Sequence, residues 1–390
     1  MTELQQLIND LCHNGVKFDA LEECCKILDN KRKPVTKAAR QAGEYPYYGA
    51  NGIQDYVSDY IFDGIFVLVG EDGSVVTPSG NPVVNWATGK IWVNNHAHII
   101  EEKDGVLLRY LYHYLQTVNV SALIHGNIPK LTGGDFRAIK VPVPPLPVQS
   151  EIVRILDNFT ELTAELTAEL TARKQQYAHY RDTLLKLDNN VPSYTLKDIC
   201  LSIADGDHMP PPKADSGVPF ITISNITETR QIDFSNVMYV PREYYDKLAD
   251  KRKAKRDDIL YTVVGSFGIP VHISSKTEFV FQRHIAILRP NQQMIVPRYM
   301  YHIMQSTEFY KQADKAAKGA AQRTIGLSSL GNMTIPLPSI EEQKRIVAIL
   351  DRFDTLCNDI SAGLPAEIEA RQKQYEYYRD KVLTFKELNT

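Results

Sequence analysis

The feature that most constrains this chain is an internal duplication. VPVPPLPVQSEIVRILDNF (141–159) recurs as IPLPSIEEQKRIVAILDRF (335–353) at an offset of 194. Aligned identities include Pro142/Pro336, Gln149/Gln343, Ile152/Ile346, Leu156/Leu350, Asp157/Asp351 and Phe159/Phe353. RKQQYAHYRDTLL (173–185) recurs as RQKQYEYYRDKVL (371–383) at an offset of 198. Shorter blocks keep the same order: VKFDALEECC (16–25) with VPSYTLKDIC (191–200), YPYYGANGI (45–53) with VPFITISNI (218–226), HAHII (96–100) with HIAIL (284–288), and RYLYHYLQT (109–117) with RYMYHIMQS (298–306). Chance similarity does not preserve order across so many blocks. The 390 residues therefore divide into a first head (1–146), a helical spacer (147–190), a second head (191–338) and a second helical spacer (339–390).

Each head mixes short β-type runs with helices, an α/β or α+β pattern. IFVLVG (65–70), KIWVNN (90–95), PFITIS (219–224) and DILYTVV (258–264) are β-branched and aromatic and predict strands. RYLYHYLQT and its copy have helical periodicity. VPVPPLP and IPLP are punctuated by proline, which central strands and helix interiors reject, so they mark linkers. The first spacer has neither Pro nor Gly from 151 to about 187. As one helix it spans roughly 55 Å. Its apolar stripe runs through Ile152, Leu156, Phe159, Leu162, Leu166, Leu170, Tyr177 and Leu184 and calls for a partner stripe. The second spacer carries the same stripe from Glu341, with a kink or brief break expected at Gly363 and Pro365.

Within the first spacer lies TELTAELTAELTA (160–172), with TAEL at 163–166 and again at 167–170. Thr163, Leu166, Thr167 and Leu170 define these units. The plain reading is a solvated helix of good helix formers. The informative point is that one unit changes the helix length by about 6 Å and its rotation by about 40°. The second spacer has 24 residue steps from Asp351 to Tyr375 where the first has 20 from Asp157 to Tyr177. Spacer length is a tunable quantity.

The formal net charge of −3 argues mildly against a nucleic-acid binder, but 191–338 carries +4 and 16–146 carries −1. Positive charge is concentrated in the second head, a weak electrostatic footprint. No run of about 18 apolar residues predicts a membrane span. The start MTELQQLINDLCHNG is not a secretory signal. Cys12, Cys24, Cys25, Cys200 and Cys357 form no CxxC pair, so a reduced, cytoplasmic setting is expected, without a disulfide framework or zinc site.

Candidate DNA contacts lie in polar loops. In the first head they are Lys31, Arg32 and Lys33 of KRKPVTK, Tyr47 and Asn51 of YPYYGANG, Ser74, Asn95 and Lys130. Lysine and arginine suit phosphates, and Asn51 suits an adenine edge. The alternatives are a solvated basic turn and a structural Asn. In the second head they are His208, Lys213, Asn225, Lys251, Arg252 and Lys253 of KRKAKR, Arg283 on a strand, and Gln322 and Arg323 of GAAQRTIGLSS, whose side chains suit bidentate readout of A and G. KRKAKR also sits at an expected helix end, where cations are favourable in any case. His96 and His98 share one face of a strand, but no Cys or carboxylate in the sequence pattern completes a metal set.

Catalytic signatures are missing. The Gly89-Lys90 step has Val84 and Ile91 where a P-loop needs Gly and Ser/Thr. NPVVNW (81–86) departs from an adenine-methyltransferase motif, and no nucleophile elbow is seen. A self-contained catalyst and an architectural adaptor whose heads bind protein are the competing readings.

The duplicated QxxIVxILDxF block opening each spacer after its proline segment, the TAEL units, and the head motifs YPYYGANGI, VGEDGSVV (69–76) and ADGDHMPPP (204–212) together resemble the specificity subunit of type I restriction–modification enzymes, over essentially the whole chain. The resemblance implies two target recognition domains, each reading half of a bipartite, asymmetric site in double-stranded DNA. It implies two long antiparallel helices forming a coiled-coil spacer, with the TAEL count related to the gap between half-sites. It implies no catalysis and no cofactor in this chain. Two modification subunits would supply S-adenosylmethionine-dependent adenine methylation, and restriction subunits ATP- and Mg-dependent translocation and cleavage.

Overall fold

Each head begins and ends on the same short antiparallel ladder. Lys17–Ala20 pairs with Lys140–Val143 in the first, and Ser193–Thr195 with Thr334–Pro336 in the second. The proline-punctuated segments are therefore strands as well as linkers. Pro142 and Pro336 are tolerated because each ladder has only two strands, both edges. Buried tyrosines fasten the ladders from within: the Tyr110 hydroxyl donates to Pro142 O at 2.9 Å and that of Tyr299 to Pro336 O at 3.0 Å. The computed structural model describes residues 3–73, 75–188, 190–206, 210–320, 322–359 and 361–388.

The chain forms two compact units. One comprises the residues up to Ala164 together with those from Ala370 onward, and the other is Glu165–Glu369. Each holds one head and parts of both spacers. The first head has a six-stranded sheet in the order Lys26–Ile27, Ala97–Glu101, Phe62–Gly70, Val84–Val93, Ala42–Gly49, Gly52–Val57. Val67, Leu68 and Val69 are fully buried in it. The second head has a four-stranded sheet (Cys200–Asp205, Ile285–Pro290, Ile259–Thr262, Pro270–His272) and a three-stranded one (Met238–Val240, Val218–Ile221, Val280–Phe281). Both heads contain a parallel pair in the same place, Tyr47 opposite Trp92 and Phe220 opposite Val280. The expected strands form, though not all at full length: PFITIS pairs as a strand only to Ile221 before a short helix at Ile223–Asn225, and DILYTVV over Ile259–Thr262. KIWVNN stops at Val93, because Asn94 turns the chain by accepting the His96 amide on its side-chain oxygen.

The first spacer is a continuous 39-residue helix, Leu146–Leu184, about 58 Å long. It starts five residues before the expected 151, with Pro147 in the first turn, where a missing N–H is no loss. The second spacer breaks into Ile340–Asn358 and Leu364–Val382. The break follows from Asp359, whose carboxylate accepts from the amides of Ser361 and Ala362, and from Gly363. A Cβ there would lie 2.5 Å from Thr355 O. In the first unit Phe159 stacks on Tyr378 with centroids 5.4 Å apart. One helix leaves this unit at Ala164 and the other joins it at Ala370, so the two run antiparallel. In the second unit Tyr177 and Tyr180 both stack on Phe353, at 6.2 and 5.4 Å. Val16 donates to Lys386 O and accepts from Leu388 N, both at 2.9 Å, which ties the last described residues to the start of the first head.

A polar network centred on a fully buried histidine joins each head to both spacers, and it occurs twice. Asp157, on the first spacer, accepts from Arg109 Nε and from His113 Nε2, both at 2.8 Å. The other ring nitrogen of His113 meets the Tyr375 hydroxyl, on the second spacer, at 3.1 Å. In the second unit Asp351 accepts from Arg298 and from His302 Nε2 at 2.7 Å, and His302 Nδ1 meets the Tyr177 hydroxyl at 2.9 Å. Burial pushes His113 down to about 4 against the opposing pull of Asp157, and it lowers His302 as well. Each ring is therefore neutral near pH 7, donating from Nε2 to the aspartate and accepting the tyrosine proton at Nδ1. Beside each network a glutamine completes the join. Gln149 accepts from Leu107 N and donates to Gly105 O and Pro144 O, and Gln343 does the same with Val296 N, Met294 O and Pro338 O.

These histidines set an acid response. Their folded pKa lies below the unfolded value, so between about 6.5 and about 4 the unfolded chain binds protons the folded chain refuses. Stability is intact above that window and falls as pH drops through it, by about 3 kcal/mol for His113 alone. Thermal unfolding against pH should show a slope there that flattens in the double variant His113→Gln, His302→Gln. An unchanged slope would place the loss on other groups.

Candidate nucleic-acid interface

In the first head, backbone hydrogen bonds bring five polar segments to one end of the sheet. Lys33 N donates to Val93 O, Asn94 N to Tyr48 O and Glu71 N to His96 O, and Asp72 bridges to Lys130. Lys31, Lys33, Asn51 and Asn95 are exposed on these segments. Asn51 is at the hairpin tip, where Gly52 supplies a φ of 107°. Lys130 is partly neutralised, 3.2 Å from Glu71.

Two expected contacts in this head have internal work instead. Arg32 donates to Glu71 and to Ala97 O, both at 2.6 Å, with Asp29 beside it, and its side chain is 12% exposed. Tyr47 is buried, its hydroxyl held between the amide and carbonyl of Val35 and its face covered by Arg40. A tyrosine in a turn motif reads as exposed; the parallel pairing with Trp92 turns this one inward. His96 and His98 also part company. His96 is in the turn and pairs with Asp72. His98 is fully buried, stacked on Phe136 at 4.2 Å, and bonded to Asp29 and Leu131 O. Asp29, Glu71 and His98 bring their ligand atoms within 4.8 Å of one another, and Arg32 is the counter-charge bonded to that cluster. Ser74 and His208 lie outside the described residues.

In the second head Lys213 and Arg283 line one open cavity of about 380 Å³. Arg283 lies in a turn before Ile285–Pro290, not on a strand. Gln322 is exposed beside the Gly265 turn, and Val263 N donates to His284 O, linking that turn to the cavity. Lys251 is exposed on the short Asp250–Arg252 helix. Arg252 is 3.5 Å from Asp205, Lys253 donates to Asp246 O, and Arg323 pairs with Asp314 at 2.7 Å. Asn225 is buried: its oxygen accepts from Thr222 and its amide donates to the carbonyls of Asp233 and Asn236. It builds the loop and is not free to read a base. Within the basic run Arg252 is balanced by Asp205, distant in sequence, and Lys255 by Asp250, so the run presents less free charge than a local count suggests.

In the spacer, Thr163 donates to Phe159 O, and Leu166 and Leu170 are half-buried. From Phe159 to Gln176 no residue of this helix is fully buried. Sequence reading missed Gln54, Asn94 and Gln282. Gln54 and Asn94 bond to each other at 3.3 Å at the tip of the first head, and Gln282 lines the cavity of the second. Gln54 directly follows the aligned block 45–53, and Asn94 and Gln282 stand two residues before the aligned blocks HAHII and HIAIL; that adjacency was the available signal.

The chain matches the family described as type I restriction modification DNA specificity domain over residues 14–173 and 189–370. It is 38% identical, over 95% of its length and 96% of the relative's, to a Haemophilus influenzae chain named as a type I restriction enzyme specificity subunit. It is 36% identical to the EcoR124I/EcoR124II specificity subunit of Escherichia coli, covering 73% of this chain and 72% of that one. Its fold is similar to that of a type I restriction-modification S subunit from M. genitalium, with TM-score 0.60, 15% identity, and 98% and 99% of the two chains covered. No helix among the described residues is long and apolar enough to cross a membrane.

The two kinds of cation separate experimentally. Arg32→Ala removes the guanidinium that Glu71 and Asp29 share, leaving them Lys130 and His98 as side-chain partners, and should cost about 3 kcal/mol of stability. Lys33→Ala, at an exposed position, should leave the unfolding temperature unchanged. Equal unfolding temperatures for the two variants would refute the structural assignment of Arg32.

Proposed function

The chain belongs to the type I restriction-modification DNA specificity family, and from that premise we propose that each head reads one half of a bipartite, asymmetric site in double-stranded DNA. The observation that carries this reading is the repeated Arg–His–Asp–Tyr network, which fixes two similar heads to one shared pair of spacers. Related heads suit the repeating geometry of a duplex, while different side chains at their tips let each half-site differ. Lys31, Lys33, Lys213, Lys251 and Arg283 serve phosphates, and Asn51, Asn95 and Gln322 base edges. Catalysis is left to partners. Two modification subunits bind the helical regions and bring S-adenosylmethionine chemistry, and restriction subunits bring ATP and Mg.

The TAEL stretch is the ruler. It lies where the helix buries no side chain fully, so a four-residue unit can be removed without emptying a core. Deleting 167–170 shortens the helix by about 6 Å and turns it by about 40°. Sequencing of methylated sites should then show a new gap between two unchanged half-sites; the old gap would end the ruler role. For the whole reading, the chain with its modification subunits should retard DNA carrying the bipartite site over scrambled competitor. Equal retardation of both DNAs would favour an adaptor, and methyl transfer by the chain alone would favour an enzyme.

A further inference from the structure

The two heads share their ladders, their parallel strand pair and their polar networks, but the turn after the parallel pair differs. It is Asn94, Asn95, His96 in the first head and Gln282, Arg283, His284 in the second. Both turns are held to the same framework. The first residue's amide donates to the parallel strand, Asn94 to Tyr48 O and Gln282 to Ile221 O. The third residue's carbonyl accepts from a neighbouring loop at 2.8 Å, His96 from Glu71 and His284 from Val263. The middle residues, Asn95 and Arg283, are exposed. A rigid frame thus presents different side chains at one equivalent point.

In the second head this turn forms one wall of the 380 Å³ cavity, facing Pro211, Lys213 and Met238. The lining holds Lys213, Arg283 and His284 and no carboxylate, whereas each of the other four cavities described has at least one. Arg283 and Lys213 make no ion pair among the described residues. The amide oxygen of Gln282 is buried and has no hydrogen-bond partner among them. Met238, 45% exposed, supplies an apolar surface at the rim. The backbone is packed tightly enough to fix the turn: a Cβ on Gly206 would come within 1.9 Å of Phe281 O. The site is therefore anion-seeking, part apolar, and short of one hydrogen-bond donor.

We propose that this turn is the base-reading element of both heads. In the second head Gln282 accepts from the exocyclic amino group of an adenine, while Arg283 and Lys213 hold the flanking phosphates. In the first head Asn94 stands where Gln282 does but is engaged by Gln54 and by the His96 amide, so the reading falls to its exposed neighbour Asn95. A base with an amino group on its groove edge supplies the donor that Gln282 lacks, and glutamine's amide matches adenine at both its amino group and ring nitrogen. The inference rests on the chain being a DNA-specificity subunit, and it assigns the reading to particular residues.

The test uses the full chain with its modification subunits, in a host free of other adenine methylation, with sequencing of methylated sites. Gln282→Ala should relax one adenine position of one half-site, with discrimination there falling about tenfold or more. Asn95→Ala should alter only the other half-site. Arg283→Ala, at an exposed position that does not threaten folding, should keep the recognised sequence. Binding of that complex to its DNA should lose about 0.9 from the slope of log affinity against log salt. Unchanged half-sites in Gln282→Ala and Asn95→Ala overturn the proposal. So does an unchanged salt slope in Arg283→Ala, even if Gln282→Ala abolishes methylation altogether. Unselective methylation by the unsubstituted complex would instead remove the reading on which the proposal rests.

Discussion

Through a fully buried histidine, a single half-buried carboxylate on each spacer, Asp157 or Asp351, organises everything around it. It accepts from an arginine and a histidine on one helix of the head. The histidine, kept neutral by burial, passes the connection to a tyrosine on the other spacer. Three elements far apart in sequence meet through two side-chain hydrogen bonds in series. An aliphatic contact would tolerate sliding by a few tenths of an ångström, but a buried hydrogen-bonded chain does not. Removing the aspartate or the tyrosine leaves a ring nitrogen of a fully buried histidine unpaired, so the network selects one arrangement and penalises its neighbours. Arg109 adds apolar contact by lying over Trp86 and Tyr112, and Arg298 by lying over Tyr301.

This network explains why the most alike parts of the two halves are alike. The RYxYH blocks supply the arginine and histidine, the ILDxF blocks the aspartate, and the QYxxYRD blocks the tyrosine. The glutamine at the start of each spacer holds the preceding loop by three backbone hydrogen bonds. The repeated motifs are therefore about attachment. Residues suited to reading DNA lie in segments that differ between the halves, on turns anchored to the shared frame. A rigid frame with variable tips lets the tips change without loosening the heads.

Charge is divided in the same way. Arg32, Arg289 and Arg298 are held in internal ion pairs with Glu71, Asp258 and Asp351. Lys31, Lys33, Lys213, Lys251 and Arg283 are exposed. A small net charge for the whole chain coexists with local positive sites, because some acids are committed to arginines held inside the fold and leave these exposed cations unpaired among the described residues.

The sequence by itself determined the repeat, the head–helix–head–helix order, the strands, the long helix and its TAEL units, and the break near Gly363. Those properties are local: periodicity, proline and glycine placement, and block identity are legible without knowing what touches what. Only the tertiary structure decided the fates of individual polar residues. Tyr47 and Asn225 sit in turn-like motifs and are buried, Arg32 sits in a basic run and is engaged by Glu71, and Gln282 passed unnoticed and lines a cationic cavity. The reason is physical. Whether a polar side chain faces water or a buried partner depends on residues tens of positions away, and no local pattern encodes that distance.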